Sequence, residues 1–330
     1  MNSFSCFPWK EFPGLNWSRV RLLGHGTYGA VYLSLLTDFK NVNLFLAVKT
    51  AHLNSSASLV KETRILDEFR DCPEIITSYG HIETLERGSG LYNIVLEYAP
   101  FGTLSDLIRR SDGCAFRETS VRVYTRMILN GLRCLHIKGY VHCDLKPDNI
   151  LVFPCNSQDG CCRLKLADFG LSKEPDEDDG RVSERYKYRF RGTPLYTSPE
   201  SVAIGEIGPA MDIWSLGCIV IEMITGRHPW YWYGLDVSRF GTDVAYFLAL
   251  TRDWSPRIPQ DITEMGKDFL RMCFIRDPRQ RWTADLLLHH PFLSEVSSGL
   301  SESRRVLIPT EHHLLAQNIA ARTPPRRFFH

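Results

Sequence analysis

Three side chains of complementary chemistry stand close together in the stretch Val141–Val152. Asp144 supplies a carboxylate that could accept or orient a hydroxyl proton, Lys146 supplies a cation, and Asn149 supplies a carboxamide. Phosphoryl transfer needs groups of this kind, because it depends on positioning and charge neutralisation more than on covalent chemistry. The stretch is therefore the candidate catalytic centre, and other elements must position a phosphate donor beside it.

A glycine-rich segment could cover the phosphates of such a donor. Gly24, Gly26 and Gly29 lie between two predicted strands, Trp17–Leu23 and Ala30–Leu35. A lone Gly-x-Gly-x-x-Gly is a weak signal, since it also occurs in ordinary turns and in dinucleotide-binding motifs that open a helix. Here a strand follows, and no Gly-Lys-Ser/Thr is present, which excludes a P-loop. A hairpin without side-chain bulk lets backbone N–H groups lie over phosphate oxygens.

A single lysine ends the next predicted strand. In the predicted strand Leu44–Thr50 the apolar run Leu44–Val48 ends on Lys49, and by itself such a lysine would most simply point into solvent. The predicted helix Leu59–Phe69 carries Glu62, which could hold the ammonium toward α- and β-phosphates. Glu68 is a second choice as partner, because it falls on another face of the helix.

The order of these motifs resembles the protein kinase family. The catalytic stretch matches the pattern His-Arg-Asp-Leu, three residues, Asn, except that Cys143 replaces the arginine. Asp168-Phe-Gly, Gly192-Thr-Pro-Leu-Tyr and Ser198-Pro-Glu follow at kinase-like separations, with Ser198 in place of an alanine. Asp-Leu-Lys-Pro with Gly-Thr-Pro-Leu-Tyr resembles the serine/threonine class. His-Cys-Asp, Ser-Pro-Glu-Ser-Val and Asp-Ile-Trp-Ser-Leu-Gly-Cys are similar to plant mitogen-activated protein kinase kinase kinases.

The resemblance implies an α+β, bilobal fold. It places a small, antiparallel β-rich N-lobe with one main helix at about 17–97, and a larger, mainly helical C-lobe at about 98–292. An irregular leader would occupy 1–16 and a flexible tail 293–330. Amphipathic spacing predicts a helix over Thr119–His136. The almost wholly apolar stretch Asp212–Thr225 predicts a buried helix, which Gly226 ends, and a last helix is predicted over Thr283–Phe292.

The resemblance also implies the roles of individual residues, with ATP and Mg²⁺ as cofactors. Asp144 and Lys146 would be catalytic, and Asn149 and Asp168 would bind the metal. Backbone groups of Glu97 and Ala99 would bind the adenine edge. The full nucleotide-binding set is Leu23, Gly24, Gly26, Gly29, Val31, Ala47, Lys49, Glu62, Leu96, Glu97 and Ala99. Further down the chain, Asp212 would hold the catalytic loop and Arg281 would pair with Glu200.

Composition limits the class of partner. The 330 residues carry a formal net charge of +1, which argues against nucleic acid or an anionic membrane as the main partner. No signal peptide or membrane span is predicted. Ten cysteines in a chain of this size indicate reduced thiols, and Cys155, Cys161 and Cys162 are expected to be free loop thiols because they lack paired zinc-ligand spacing. We expect a protein substrate, itself a kinase kinase, and a cytoplasmic location, with the nucleus as a second compartment.

Besides a kinase that acts on a kinase kinase, the sequence leaves three functions open: a pseudokinase scaffold, a kinase for small molecules, and a serine/threonine kinase of another signalling pathway. A pseudokinase is disfavoured because the chain keeps Lys49, Asp144, Asn149 and Asp168. A kinase for small molecules is disfavoured because the Gly-Thr-Pro and Ser-Pro-Glu segments suit a peptide substrate.

The cysteine beside the catalytic aspartate predicts that loop phosphorylation is unnecessary. A buried arginine there would need a counter-charge, commonly a phosphate, before the following loop orders. Cys143 is neutral, so Ser172, Ser183, Tyr186 and Tyr188 need not be modified for the site to assemble. The basic run Arg185–Arg191 could bind a phosphate by itself, but the acidic run Glu174–Asp179 can serve as its counter-charge.

Overall fold

The computed structural model describes residues 16–26, 29–37, 43–111, 116–154, 162–177, 191–234 and 254–294. The predicted leader and tail lie almost entirely outside these residues. The described residues up to Phe101 form one compact unit, and most of those from Gly102 onward form a second. No helix in the described part of the chain has the length and apolar character needed to cross a bilayer.

The first unit is a five-stranded antiparallel sheet with one main helix. The strands, in the order β1-β2-β3-β5-β4 across the sheet, are β1 (Asn16–Gly26), β2 (Gly29–Thr37), β3 (Asn43–His52), β4 (Ser78–Glu86) and β5 (Ser89–Glu97). Helix α1 (Ala57–Glu68) packs on β4 and β5 and buries Leu59, Ile65 and Leu66. Sequence reasoning did not identify β4, whose side chains alternate between half-buried and exposed, as expected at a sheet edge.

The second unit is mainly helical. Its helices are α2 (Leu104–Arg110), α3 (Glu118–Ile137), α4 (Pro199–Ile204), α5 (Pro209–Thr225), α6 (Glu264–Cys273) and α7 (Ala284–Leu288), and a two-stranded sheet joins β6 (Ile150–Pro154) to β7 (Cys162–Leu166). Helix α5 lies at the centre, since α3 and α6 both pack on it. It is buried on nearly every face, and Gly226 ends it in the left-handed conformation, as predicted.

Two details of the sequence interpretation were wrong. The last helix is shorter than Thr283–Phe292: α7 ends at Leu288, and a separate 3₁₀ turn covers Pro291–Leu293, because proline cannot continue a helix. Cys162 is not a loop thiol, since it opens strand β7 and is buried. It is in no disulfide bond, as expected, whereas Cys155 and Cys161 lie outside the described residues.

Candidate active site

The glycine hairpin joins β1 to β2, and Gly29 is the position where glycine is indispensable. Its φ is +141°, and a Cβ built there would lie 2.2 Å from the carbonyl oxygen of Thr50 on β3. Any other residue would therefore clash with backbone as well as adopt an unfavourable conformation. Apart from chain neighbours, no described residue of the first unit lies within 4 Å of a Cβ built at Gly24 or Gly26, so the described part of this unit leaves room for a ligand to approach the backbone there.

The ion pair predicted between Lys49 and Glu62 is present. Nζ of Lys49 lies 2.6 Å from Oε2 of Glu62, and the two residues are only 7% and 1% exposed. Strand β3 presents the lysine and helix α1 presents the glutamate. Burying either charge alone would be strongly unfavourable, so each side chain fixes the other. Glu68, the second choice, is exposed at the end of α1.

The residues expected to surround adenine lie on or just after four neighbouring strands, β1, β2, β3 and β5. Ala47 on β3 and Leu96 on β5 are directly opposite one another, and both are buried. Val31 on β2 is half-buried opposite Gly24 of β1, next to the exposed Leu23. Glu97 ends β5 and is held to Thr77 twice: its carboxylate accepts a hydrogen bond of 2.7 Å from the Thr77 backbone N–H, and its own backbone N–H donates to the Thr77 carbonyl at 3.0 Å. Ala99 follows two residues later. The nucleotide contacts of these residues stay predictions.

A closed network of hydrogen bonds surrounds Asp144 in the second unit. Lys146 Nζ lies 2.9 Å from Asp144 Oδ2, and Asn149 Nδ2 donates to the same oxygen at 3.0 Å and to the Asp144 carbonyl at 2.8 Å. Thr193 Oγ1 donates to Asp144 Oδ1 at 2.7 Å and accepts from Lys146 Nζ at 2.8 Å. The carboxylate is thus held in one orientation by three side chains, which is the preorganisation that catalysis by positioning requires.

Asp212 fixes the backbone of the catalytic loop from below, as the resemblance implied. It is fully buried at the start of α5, and its two carboxylate oxygens accept hydrogen bonds from the backbone N–H groups of His142 (2.8 Å) and Cys143 (3.0 Å). His136 Nε2 lies 2.9 Å from the same carboxylate. These bonds support Cys143 in a left-handed conformation, with φ of 67°, which a non-glycine residue adopts only when its surroundings impose it.

The two residues expected to bind metal are brought side by side by Ala167. Its backbone N–H donates to the Asn149 carbonyl at 2.9 Å, and its own carbonyl lies 3.1 Å from His142 Nε2. Asp168 follows directly, with φ of 65°. Because Asn149 Nδ2 is committed to Asp144, the amide oxygen is the atom left for a cation. One carboxylate and one amide oxygen, completed by phosphate and water, form the kind of ligand set that Mg²⁺ accepts.

The segment after Gly192 is fastened to helix α5, which sequence reasoning did not foresee. The Tyr196 hydroxyl donates to Glu222 Oε2 at 2.7 Å, and Ser215 Oγ donates to the Tyr196 carbonyl at 2.7 Å. Burial raises the pKa of Glu222 to about 7, with the nearby Asp148 charge adding to the rise and the Tyr196 hydrogen bond opposing it. Burial and the Glu222 charge likewise raise the pKa of Tyr196 well above its usual value.

The aromatic run Trp230–Tyr233 contributes to the same support. Trp230 is 1% exposed and donates its indole N–H to the Leu195 carbonyl at 2.9 Å. Tyr231 and Trp232 are 41% and 50% exposed. Trp230 is the only fully buried residue of this run, and the three residues after it form a short 3₁₀ turn.

Glu200 and Arg281 form the buried pair that the resemblance implied. Nη1 and Nη2 of the arginine lie 2.7 and 2.9 Å from the two carboxylate oxygens, a bidentate arrangement. Next to it, Ser198 replaces the expected alanine without an unpaired hydroxyl, because its Oγ donates to Ser201 Oγ at 3.0 Å. The substitution is thus accommodated in a fully buried position.

Fold and site together define a protein kinase, and comparisons with known proteins agree. The protein kinase domain family matches residues 17–293, so the chain belongs to the protein kinase family. Its relatives include mitogen-activated protein kinase kinase kinases 20, 17 and 18 of Arabidopsis thaliana, which are 40%, 38% and 37% identical to it. These matches cover 84–85% of this chain and 79%, 70% and 78% of the three relatives, respectively. The protein is an ATP-using serine/threonine kinase similar to this plant group.

Proposed function

We propose that the protein acts as a mitogen-activated protein kinase kinase kinase: with Mg²⁺, it transfers the γ-phosphoryl group of ATP to a serine or threonine hydroxyl of a downstream kinase kinase. The observation that carries the proposal is the network in which Lys146, Asn149 and Thr193 orient the Asp144 carboxylate. The relatives named above, which share this family and cover most of the chain, support the choice of substrate class.

Each side chain has a separate task in this reaction. Asp144 orients the substrate hydroxyl and accepts its proton as the oxygen attacks the γ-phosphorus. Lys146 offsets the negative charge that develops on the transferred group, and Lys49, held by Glu62, directs the α- and β-phosphates. Asn149 and Asp168 hold Mg²⁺, which neutralises phosphate charge when it is bound.

A catalytic test separates this function from a pseudokinase scaffold. Wild-type protein should transfer ³²P from labelled ATP to a purified kinase kinase whose catalytic lysine has been replaced, so that the substrate cannot phosphorylate itself. Asp144→Asn should reduce the rate by at least about a thousandfold. Equal incorporation by the two proteins would refute the enzyme assignment. Unrelated protein substrates and small alcohols, added to the same panel, test for a kinase of another signalling pathway and for a small-molecule kinase. Preference for either class over the kinase kinase would contradict the proposed substrate.

The metal assignment has its own test. Asp168→Asn removes the only full negative charge of the two expected ligands, so it should abolish the difference in nucleotide affinity measured with Mg²⁺ and with EDTA. Calorimetric titration of ATP against wild type and variant measures this directly. A difference that persists in the variant would place the metal elsewhere.

The location is also a proposal. We infer a cytoplasmic protein with access to the nucleus, which imaging of the tagged full chain would test; accumulation at a membrane or in an organelle would overturn it.

A further inference from the structure

Glu177 and Arg191 form an ion pair that closes the segment between the Asp168-Phe-Gly motif and the Gly192-Thr-Pro motif. Nη2 of Arg191 contacts Oε1 of Glu177, although fourteen positions separate them in sequence. Their side chains are 29% and 28% exposed, so water screens the pair only in part. Burial alone would lower the pKa of Arg191, but the hydrogen bond and charge of Glu177, together with the Cys143 side chain, raise it.

The arginine end of this pair lies directly on the catalytic loop. Arg191 interacts with the Cys143 side chain. Gly192, with φ of +107°, approaches so closely that a Cβ there would lie 2.3 Å from the Cys143 carbonyl oxygen. Thr193 then donates to Asp144 Oδ1 at 2.7 Å. Three consecutive residues therefore follow the backbone of Cys143 and Asp144, and the ion pair holds the first of them.

The stretch that leads to Glu177 is fastened by a buried serine. Ser172 is fully buried, and its Oγ donates to the His142 carbonyl at 3.1 Å. Lys173 adds a two-way backbone pairing with Val141. This part of the segment is thus attached to the chain entering the catalytic loop, and Ser172 serves as a structural contact there.

We propose that Glu177 and Arg191 are a positioning pair that holds Thr193 on the catalytic Asp144 without any phosphate. The neutral thiol of Cys143 makes this possible, because a cation at that position would repel Arg191 and compete for Glu177. The Glu177 carboxylate thus gives Arg191 the negative partner that a phosphate on the loop would otherwise supply. The proposal rests on the proposed kinase function and adds the side chains that make its catalytic loop competent.

Charge variants of the phosphatase-treated full chain test the pair. Glu177→Gln and Arg191→Gln should each lower kcat about tenfold, equivalent to about 1.4 kcal/mol of transition-state stabilisation, while KM for ATP changes less than about twofold. The swapped variant Glu177→Arg/Arg191→Glu should recover most of the lost kcat, because it restores a pair of opposite charges between the same two positions. Asp176→Asn, one residue from Glu177 but exposed, is the matched control and should behave as wild type.

A second readout needs no catalysis and separates this inference from the proposed function. Hydrogen exchange of peptides that contain residues 191–197 should quicken in both single variants and return toward wild type in the swapped one. If wild type transfers no phosphate but exchange follows this pattern, the proposed function fails and the pairing stands. Unchanged exchange and kcat in the single variants, or a swapped variant as impaired as the singles, would overturn the inference. So would loss of wild-type activity on phosphatase treatment.

Discussion

Replacing Glu200 by glutamine should destabilise the second unit, because it leaves the Arg281 guanidinium charged and buried. The arginine side chain is 0% and the glutamate side chain 7% exposed, so almost no water is available to replace the lost carboxylate. Removing one partner of a buried ion pair typically costs about 3–5 kcal/mol. Arg281 keeps hydrogen bonds to the carbonyl oxygens of Ile275 and Ala210, both at 2.8 Å, which place the expected loss at the lower end, about 3 kcal/mol.

Thermal unfolding measures this loss. A reduction of about 3 kcal/mol in a unit of this size should lower Tm by roughly 6–12 °C. Arg281→Met should lower it further, because it strands the Glu200 carboxylate and also removes the guanidinium from the face of Trp214, 5.1 Å from the ring centroid. Glu264→Gln, which removes an exposed partner of Lys267, is the matched control and should leave Tm unchanged. If Glu200→Gln shifts Tm no more than this control, the reasoning from burial is wrong.

Three further predictions concern single side chains. Lys49→Met should abolish phosphoryl transfer but keep the far-ultraviolet circular dichroism spectrum, since it removes the charge and fills similar space; activity within a few-fold of wild type would contradict the assignment. Burial raises the pKa of Glu222 from 4.5 to about 7, so the native state holds this proton more tightly than the unfolded chain and its contribution to stability falls as pH rises through that window. Glu222→Gln should flatten this fall in the free energy of unfolding, which urea unfolding at about pH 5, 6 and 8 would measure. The same dependence on pH in the variant and in wild type would argue against the raised pKa. Gly217→Ala should lower the free energy of unfolding by about 1–3 kcal/mol despite the better helix propensity of alanine, because the new Cβ would lie 2.8 Å from the Phe274 ring; a stabilised variant would show that the packing yields.

The sequence by itself determined the family and the fold class, and it predicted which side chains react. Each kinase motif is contiguous, so Asp144, Lys146 and Asn149 are recognisable from their spacing alone. Helical and strand periodicity likewise placed β1, β2, β3, α3 and α5, with ends within a few residues of the observed ones. The pairing of Lys49 with Glu62 was also accessible, because the predicted helix carries only three acidic residues, Glu62, Asp67 and Glu68.

The tertiary structure alone decided those contacts between residues far apart in sequence that the family motifs did not imply. Nothing local singles out Glu177 from the acidic run or Arg191 from the basic one; the choice depends on how the two ends of the segment meet at Cys143. The Tyr196–Glu222 hydrogen bond is of the same kind, since it joins residues 26 positions apart. The spacing of apolar residues indicates which face of a helix or strand is buried, but it does not indicate which element packs on that face. Ion pairs depend on which elements pack together. Glu177 and Glu222 were therefore visible in the sequence as charges and acquired partners only in the folded chain.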